Sequence, residues 1–107
     1  MAIFEMRTYQ VITGKMAEAS ALYAQKAMPA LTNGGFDSKL VGYFISDTGM
    51  LHQLVHLWKF DDDADRRNFW AALYVDAAFM EFAGQIRPLL VSQHNQLFKQ
   101  APWGPQL

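Results

Sequence analysis

IFEMRTYQV, residues 3–11, alternates Ile3, Glu5, Arg7, Tyr9 and Val11 with Phe4, Met6, Thr8 and Gln10, and Gly14 follows closely. A period of two marks a β-strand, because successive side chains leave the backbone on opposite faces. This strand sets an acid, a guanidinium and a phenol side by side on one face, with neighbouring Cβ atoms about 6.5–7 Å apart. Glu5 and Arg7 are therefore within pairing reach. Neither water nor an apolar core calls for that combination, so the face is read as the polar wall of a cavity. The alternative for the same residues is a solvated sheet face carrying a weak surface ion pair.

Downstream, Met16, Ala19, Leu22, Tyr23, Ala27, Ala30 and Leu31 recur at helical spacing over residues 15–31. Thr13 stands at the start as a cap and Asn33-Gly34-Gly35 as a stop, while Pro29 is expected to kink the helix or end it early. Lys39–Ser46 and His52–Phe60 read as strands two and three, joined as a hairpin through the turn-forming Asp47-Thr48-Gly49. Asp61, Asp62, Asp63 and Asp65 suit a helix N-terminus, where carboxylates accept free amide hydrogens, and Phe69, Trp70 and Leu73 then form an apolar stripe. Asp76 caps a further segment over Ala77–Arg87, ended by Pro88, and Ser92–Lys99 reads as the last strand. Residues 101–105, Ala-Pro-Trp-Gly-Pro, break any ladder, yet Trp103 calls for burial, against this chain or a partner.

The order β-α-β-β-α-β predicts an α+β fold of the ferredoxin-like kind: a four-stranded antiparallel sheet with both helical layers on one face. His52, Leu54, His56, Trp58 and Phe60 share one side of strand three. If that side met water, large aromatic rings would be exposed beside Tyr9 and Val11, so a second sheet, supplied by another copy of the chain, is expected to cover it.

The chain has 107 residues, 51% of them hydrophobic and 14% aromatic, which fits a single domain over residues 1–107. So much apolar surface in so short a chain also points to a homodimer. A net charge of -1 without a basic run argues against nucleic acid as a partner. The absence of cysteine excludes disulfides, thiolate nucleophiles and cysteine-based metal or iron–sulfur sites. No long apolar span follows the N-terminus, so no membrane partner is expected and a cytoplasmic location is the default.

Five segments together resemble the NIPSNAP family, within the superfamily of dimeric α+β barrels. They are Glu5-x-Arg7-x-Tyr9 with Gly14-Lys15, Lys39-Leu40-Val41-Gly42-Tyr43-Phe44, residues 55–62 (Val-His-Leu-Trp-Lys-Phe-Asp-Asp), residues 86–90 (Ile-Arg-Pro-Leu-Leu), and Ala101-Pro102. The resemblance spans nearly the whole chain. Phe60 stands where the family more often has tyrosine, and Trp103-Gly104-Pro105 where it usually has Phe-Ser-Pro. The resemblance implies two subunits packed sheet against sheet around a cavity. Through the superfamily it also implies cofactor-free monooxygenation, lactone isomerisation or haem chemistry as reactions of this fold.

With strand one beside strand three, Glu5, Arg7, Tyr9, His56 and Trp58 are the candidate ligand-binding residues, and His56, Arg7 and Tyr9 the candidate catalytic ones. Arg7 would orient a carboxylate or enolate, His56 would move a proton, and Trp58 or Tyr9 would stack on a planar substrate. Packing alone is the competing role for Trp58 and Phe60, and a neutral core histidine for His56. His52 and His56 lie four residues apart, about 13 Å along a strand, too far to share a metal ion. No phosphate-binding loop is present and no cofactor is expected. The leading expectation is a homodimer that binds a small organic molecule, with its chemical transformation left open; the rival is an interaction module whose interior is filled.

Overall fold

The alternating stretch forms strand β1 (Ile3–Val11), an inner strand of a four-stranded antiparallel sheet ordered β2 (Leu40–Ile45), β3 (Gln53–Phe60), β1, β4 (Leu90–Lys99). The computed structural model describes residues 1–107 and follows the predicted β-α-β-β-α-β order. Strands β2 (Leu40–Ile45) and β3 (Gln53–Phe60) make the expected hairpin, and β4 (Leu90–Lys99) begins two residues before the pattern indicated. The register fixes which side chains meet: Glu5 lies opposite Trp58, Arg7 opposite His56, and Tyr9 opposite Leu54.

One continuous helical stretch follows β1: α1 (Met16–Leu22), a widened π turn over Tyr23–Ala27, and α2 (Met28–Gly34). Of the two outcomes expected at Pro29, an early end does not occur, and the helix is locally distorted instead. The Met28 amide reaches back five residues to the Tyr23 carbonyl, and this wider turn takes up the proline just before the ring would crowd a normal one. The stop is Gly35, whose φ of 74° is the left-handed conformation that closes many helices.

The acidic run caps a helix as expected. The Asp62 side chain accepts from the Asp65 amide at 2.8 Å at the start of α3 (Asp63–Leu73). Asp76 does the same for the Phe79 amide, at 3.0 Å, before α4 (Ala77–Ile86). Pro88 sits in a short 3-10 turn, Arg87–Leu89, that leads into β4.

All helices cover the sheet face that bears Glu5, Arg7 and Tyr9. Two apolar clusters fill the space between: Val11, Ala19, Ala27, Leu54, Phe82, Ile86 and Leu89 in one, and Leu31, Trp58, Phe60, Phe69, Trp70 and Leu73 in the other. This corrects the case for a covering sheet. Leu54, His56, Trp58 and Phe60 already lie under the chain's own helices, because the apolar stripes of α3 and α4 pack there. The opposite face instead carries Met6, Val55 and Leu57 with the 55%-exposed Phe44. Trp103 is not buried against its own chain, where it is 88% exposed, in a tail pinned by hydrogen bonds from the Gln106 side chain to the carbonyls of Ala101 and Gly104. No helix is long and apolar enough to cross a membrane.

Candidate functional site

Glu5 is fully buried, which is unusual for a carboxylate and demands compensation. Three donors supply it. Arg7 Nε binds Oε2, while Oε1 accepts from Arg66 Nη1 and Trp70 Nε1, each at 3.1 Å. The pairing of Glu5 with Arg7 expected from their spacing is thus present, but buried rather than on a surface. Arg66 and Trp70 lie four residues apart on α3, one helical turn, so the acid on β1 also clamps that helix to the sheet.

Arg7 is held on more than one side. Its guanidinium carbon lies 3.5 Å from the centroid of the Trp70 ring, and Nη1 donates to the Tyr74 hydroxyl at 2.7 Å. Arg7 also lines a cavity of about 90 Å³ between the sheet and the helices, whereas Glu5 stands behind it and does not reach the lining. The carboxylate holds one edge of the guanidinium and leaves the residue facing the cavity.

Tyr9, His56 and Trp58 join Arg7 on that wall, so four of the five residues singled out from the sequence converge. His56 is surrounded by rings: Tyr43 edge-on at 4.5 Å, Tyr9 at 4.8 Å and Tyr23 edge-on at 5.2 Å. Burial, and then the charge of Arg7, lower its pKa to about 3. The imidazole is therefore neutral at physiological pH and serves as a hydrogen-bonding group rather than a proton carrier. Burial likewise raises the pKa of Tyr9, Tyr23 and Tyr43, which keeps these phenols protonated. Two ring nitrogens of these wall residues, His56 Nε2 and Trp58 Nε1, are buried without any hydrogen-bond partner in the protein. Such atoms are costly unless something in the cavity binds them.

Several lining residues escaped the sequence reading: Tyr23, Tyr43, Trp70, Tyr74 and Arg87. All four tyrosines of the chain line this one cavity. Tyr23 sits in an apolar helical stripe where any large ring would serve, and Tyr74 joins two helices, so neither carried a local signal. Arg87 is exposed at the cavity mouth, with no ion pair or hydrogen bond to its side chain. The lining thus holds two arginines and no carboxylate. His94 pairs with Thr8 on the opposite face and takes no part. No group of three or more histidine, aspartate or glutamate side chains is placed to hold a metal ion.

The NIPSNAP family model matches residues 4–105. Among solved structures, a NIPSNAP family protein of unknown function from Agrobacterium tumefaciens is 27% identical, with a TM-score of 0.89 over 99% of this chain and 94% of its own. An uncharacterised NIPSNAP-like domain protein from Burkholderia xenovorans is 29% identical, with a TM-score of 0.89 over 99% of this chain and 90% of its own. SnoaB, a cofactor-independent oxygenase from Streptomyces nogalater, is 16% identical with a TM-score of 0.64 over 98% of each chain, a likeness of fold alone. No curated protein matches the sequence.

Proposed function

The chain belongs to the NIPSNAP family, and from that premise we propose that it binds a small planar organic anion in the cavity between sheet and helices. One observation carries this reading: the lining offers the arginines Arg7 and Arg87, no acid, and the unpartnered nitrogens of His56 and Trp58. A carboxylate, enolate or phenolate answers that set. Its negative oxygen meets a guanidinium, and its other acceptor takes the Trp58 N–H. The rings of Tyr9, Tyr43 and Trp58 suit a flat ligand body.

Within this reading the candidate catalytic residues take definite parts. Arg7 stabilises negative charge that develops on the ligand, while Tyr9 and neutral His56 fix its orientation through hydrogen bonds. Proton abstraction by His56 is not part of the proposal, because a base whose conjugate acid has a pKa of about 3 holds protons poorly near neutrality. An unfilled, partly polar cavity supports ligand binding over a packed interaction module.

The proposal includes a homodimer formed through the open sheet face, supported by Phe44, Val55, Leu57 and Met6 side by side on it. Phe44→Glu should then shift the mass measured by light scattering from two chains to one. Ligand binding is tested by calorimetric titration with benzoate. Arg87→Ala, which removes no hydrogen bond or ion pair within the chain, should weaken binding roughly tenfold, in line with loss of one charged hydrogen bond. Equal affinity in both proteins, or no binding to either, would remove the proposal.

A further inference from the structure

A second space adjoins the cavity. It is a groove of about 180 Å³ between the first helical stretch and the edge strand β2, lined by Ser20, Tyr23, Ala24, Met28, Tyr43, Ile45 and Leu54. Ser20 is its only non-hydrophobic side chain apart from the two phenols. Tyr23 and Tyr43 belong to both linings, so the same two rings divide the polar cavity from the apolar groove. Their centroids are 5.4 Å apart and the rings meet edge to face.

Both tyrosines stand at irregularities of the backbone. Tyr23 opens the π turn that interrupts the first helical stretch, and Tyr43 follows the register shift between Leu40 and Gly42 in β2. An inserted helical residue and a strand bulge each re-aim the side chains beside them, and both devices recur next to functional sites. Here one stands in each wall, and each turns a tyrosine toward the other. Their edge-to-face contact closes the boundary between the two spaces, so a ligand that occupies both must part the two rings.

We infer that the ligand is an amphiphile: its anionic end occupies the cavity at Arg7, His56 and Trp58, and an apolar tail passes between Tyr23 and Tyr43 into the groove. The inference rests on the anion-binding reading of the cavity. It explains why an outer groove without charge shares its inner wall with a cavity that concentrates polar groups. The occupant follows from that continuity, since a chain leaving the cavity between these rings enters an apolar trough directly.

The test is calorimetric titration with two straight-chain acids, butyrate and octanoate. Both carry the same head, and they differ by four methylenes. A buried methylene is worth about 0.8 kcal/mol, close to fourfold in affinity, and a groove open on one side yields part of this. Octanoate should therefore bind at least about tenfold more tightly than butyrate. The exposed Ala24 and Ile45 allow the groove to be altered without touching the core. Ala24→Trp, which fills it, and Ile45→Glu, which places a charge in it, should each bring the octanoate-to-butyrate ratio to within about threefold of unity.

A wild-type ratio near unity with both acids bound would overturn the tail alone and leave the anion site standing. Failure of both acids to bind would overturn the amphiphile, and the benzoate titration then separates the outcomes: bound benzoate leaves the anion site standing, and its failure removes both readings. A preference for octanoate that survives in both variants would place the tail elsewhere and refute the groove.

Discussion

The guanidinium carbon of Arg7 lies over the indole of Trp70, 3.5 Å from the ring centroid, while Glu5 binds both residues. Fork geometry and ring stacking are both properties of arginine that lysine lacks. Arg7→Lys keeps the charge and loses both. It should lower stability by about 2–4 kcal/mol in urea unfolding, from lost stacking and charged hydrogen bonds. A loss too small to resolve would mean that charge alone holds this cluster.

Glu5→Ala should be more damaging. The substitution strands Arg7 as a buried cation and leaves the Trp70 N–H without its acceptor, a situation that costs about 3–5 kcal/mol. As a control, Glu81→Ala removes the partner of Lys26 in a pair that is well exposed on both sides, and should change the urea midpoint negligibly. Similar effects from the two variants would show that the buried cluster does not secure α3.

His56 gives the pH dependence a defined sign. Its pKa falls from 6.5 to about 3 on folding, with Arg7, Tyr9, Tyr23 and Tyr43 as its polar neighbours. Above pH 6.5 the residue is neutral in both states and contributes no slope. Below it the unfolded chain gains a proton that the folded chain refuses, so stability falls by about 1.4 kcal/mol per pH unit until the folded pKa is reached. Between pH 6.5 and 5, His56→Gln should therefore lose about 2 kcal/mol less than the parent protein. Urea midpoints at pH 7, 6 and 5 measure the difference, and parallel profiles would contradict a neutral buried imidazole.

Gly35 isolates a backbone effect. A methyl group there meets no atom within 4 Å, so Gly35→Ala costs only what φ of +74° imposes on an L-residue, about 1–2 kcal/mol. Gly35→Asn should cost less, because asparagine tolerates that conformation. Equal stability of the alanine variant would mean that the helix end relaxes freely.

The elements were largely legible in the sequence because each left a local mark. Alternation gave β1 and β3, Asp62 and Asp76 gave two helix starts, and Gly35 gave a stop. Which sheet face the helices cover left no such mark. A period of two separates Leu54, His56 and Trp58 from Val55 and Leu57 but does not say which set is inside. That choice is made by the stripes of α3 and α4, through long-range contacts such as Trp58 with Phe69 and Trp70. The cavity lining divides in the same way. Arg7, Tyr9, His56 and Trp58 could be grouped from the sequence because neighbouring strands place them together, whereas Tyr23, Tyr74 and Arg87 come from helical regions that meet the sheet only in the folded chain. The π turn at Tyr23 was also hidden, since Pro29 alone reads as a break.

Two indole groups and the tail report on the cavity directly. Trp58 Nε1 is buried without a partner, Trp70 Nε1 is bound to Glu5, and Trp103 is exposed far along the chain. Titration of ¹⁵N-labelled protein with benzoate, followed through the three indole N–H signals, therefore tests whether an anion reaches this wall. The Trp58 signal should move downfield and saturate as an acceptor reaches its N–H, while the Trp103 signal stays in place. A Trp58 signal that does not move up to the solubility limit of benzoate would contradict an anion site on this wall.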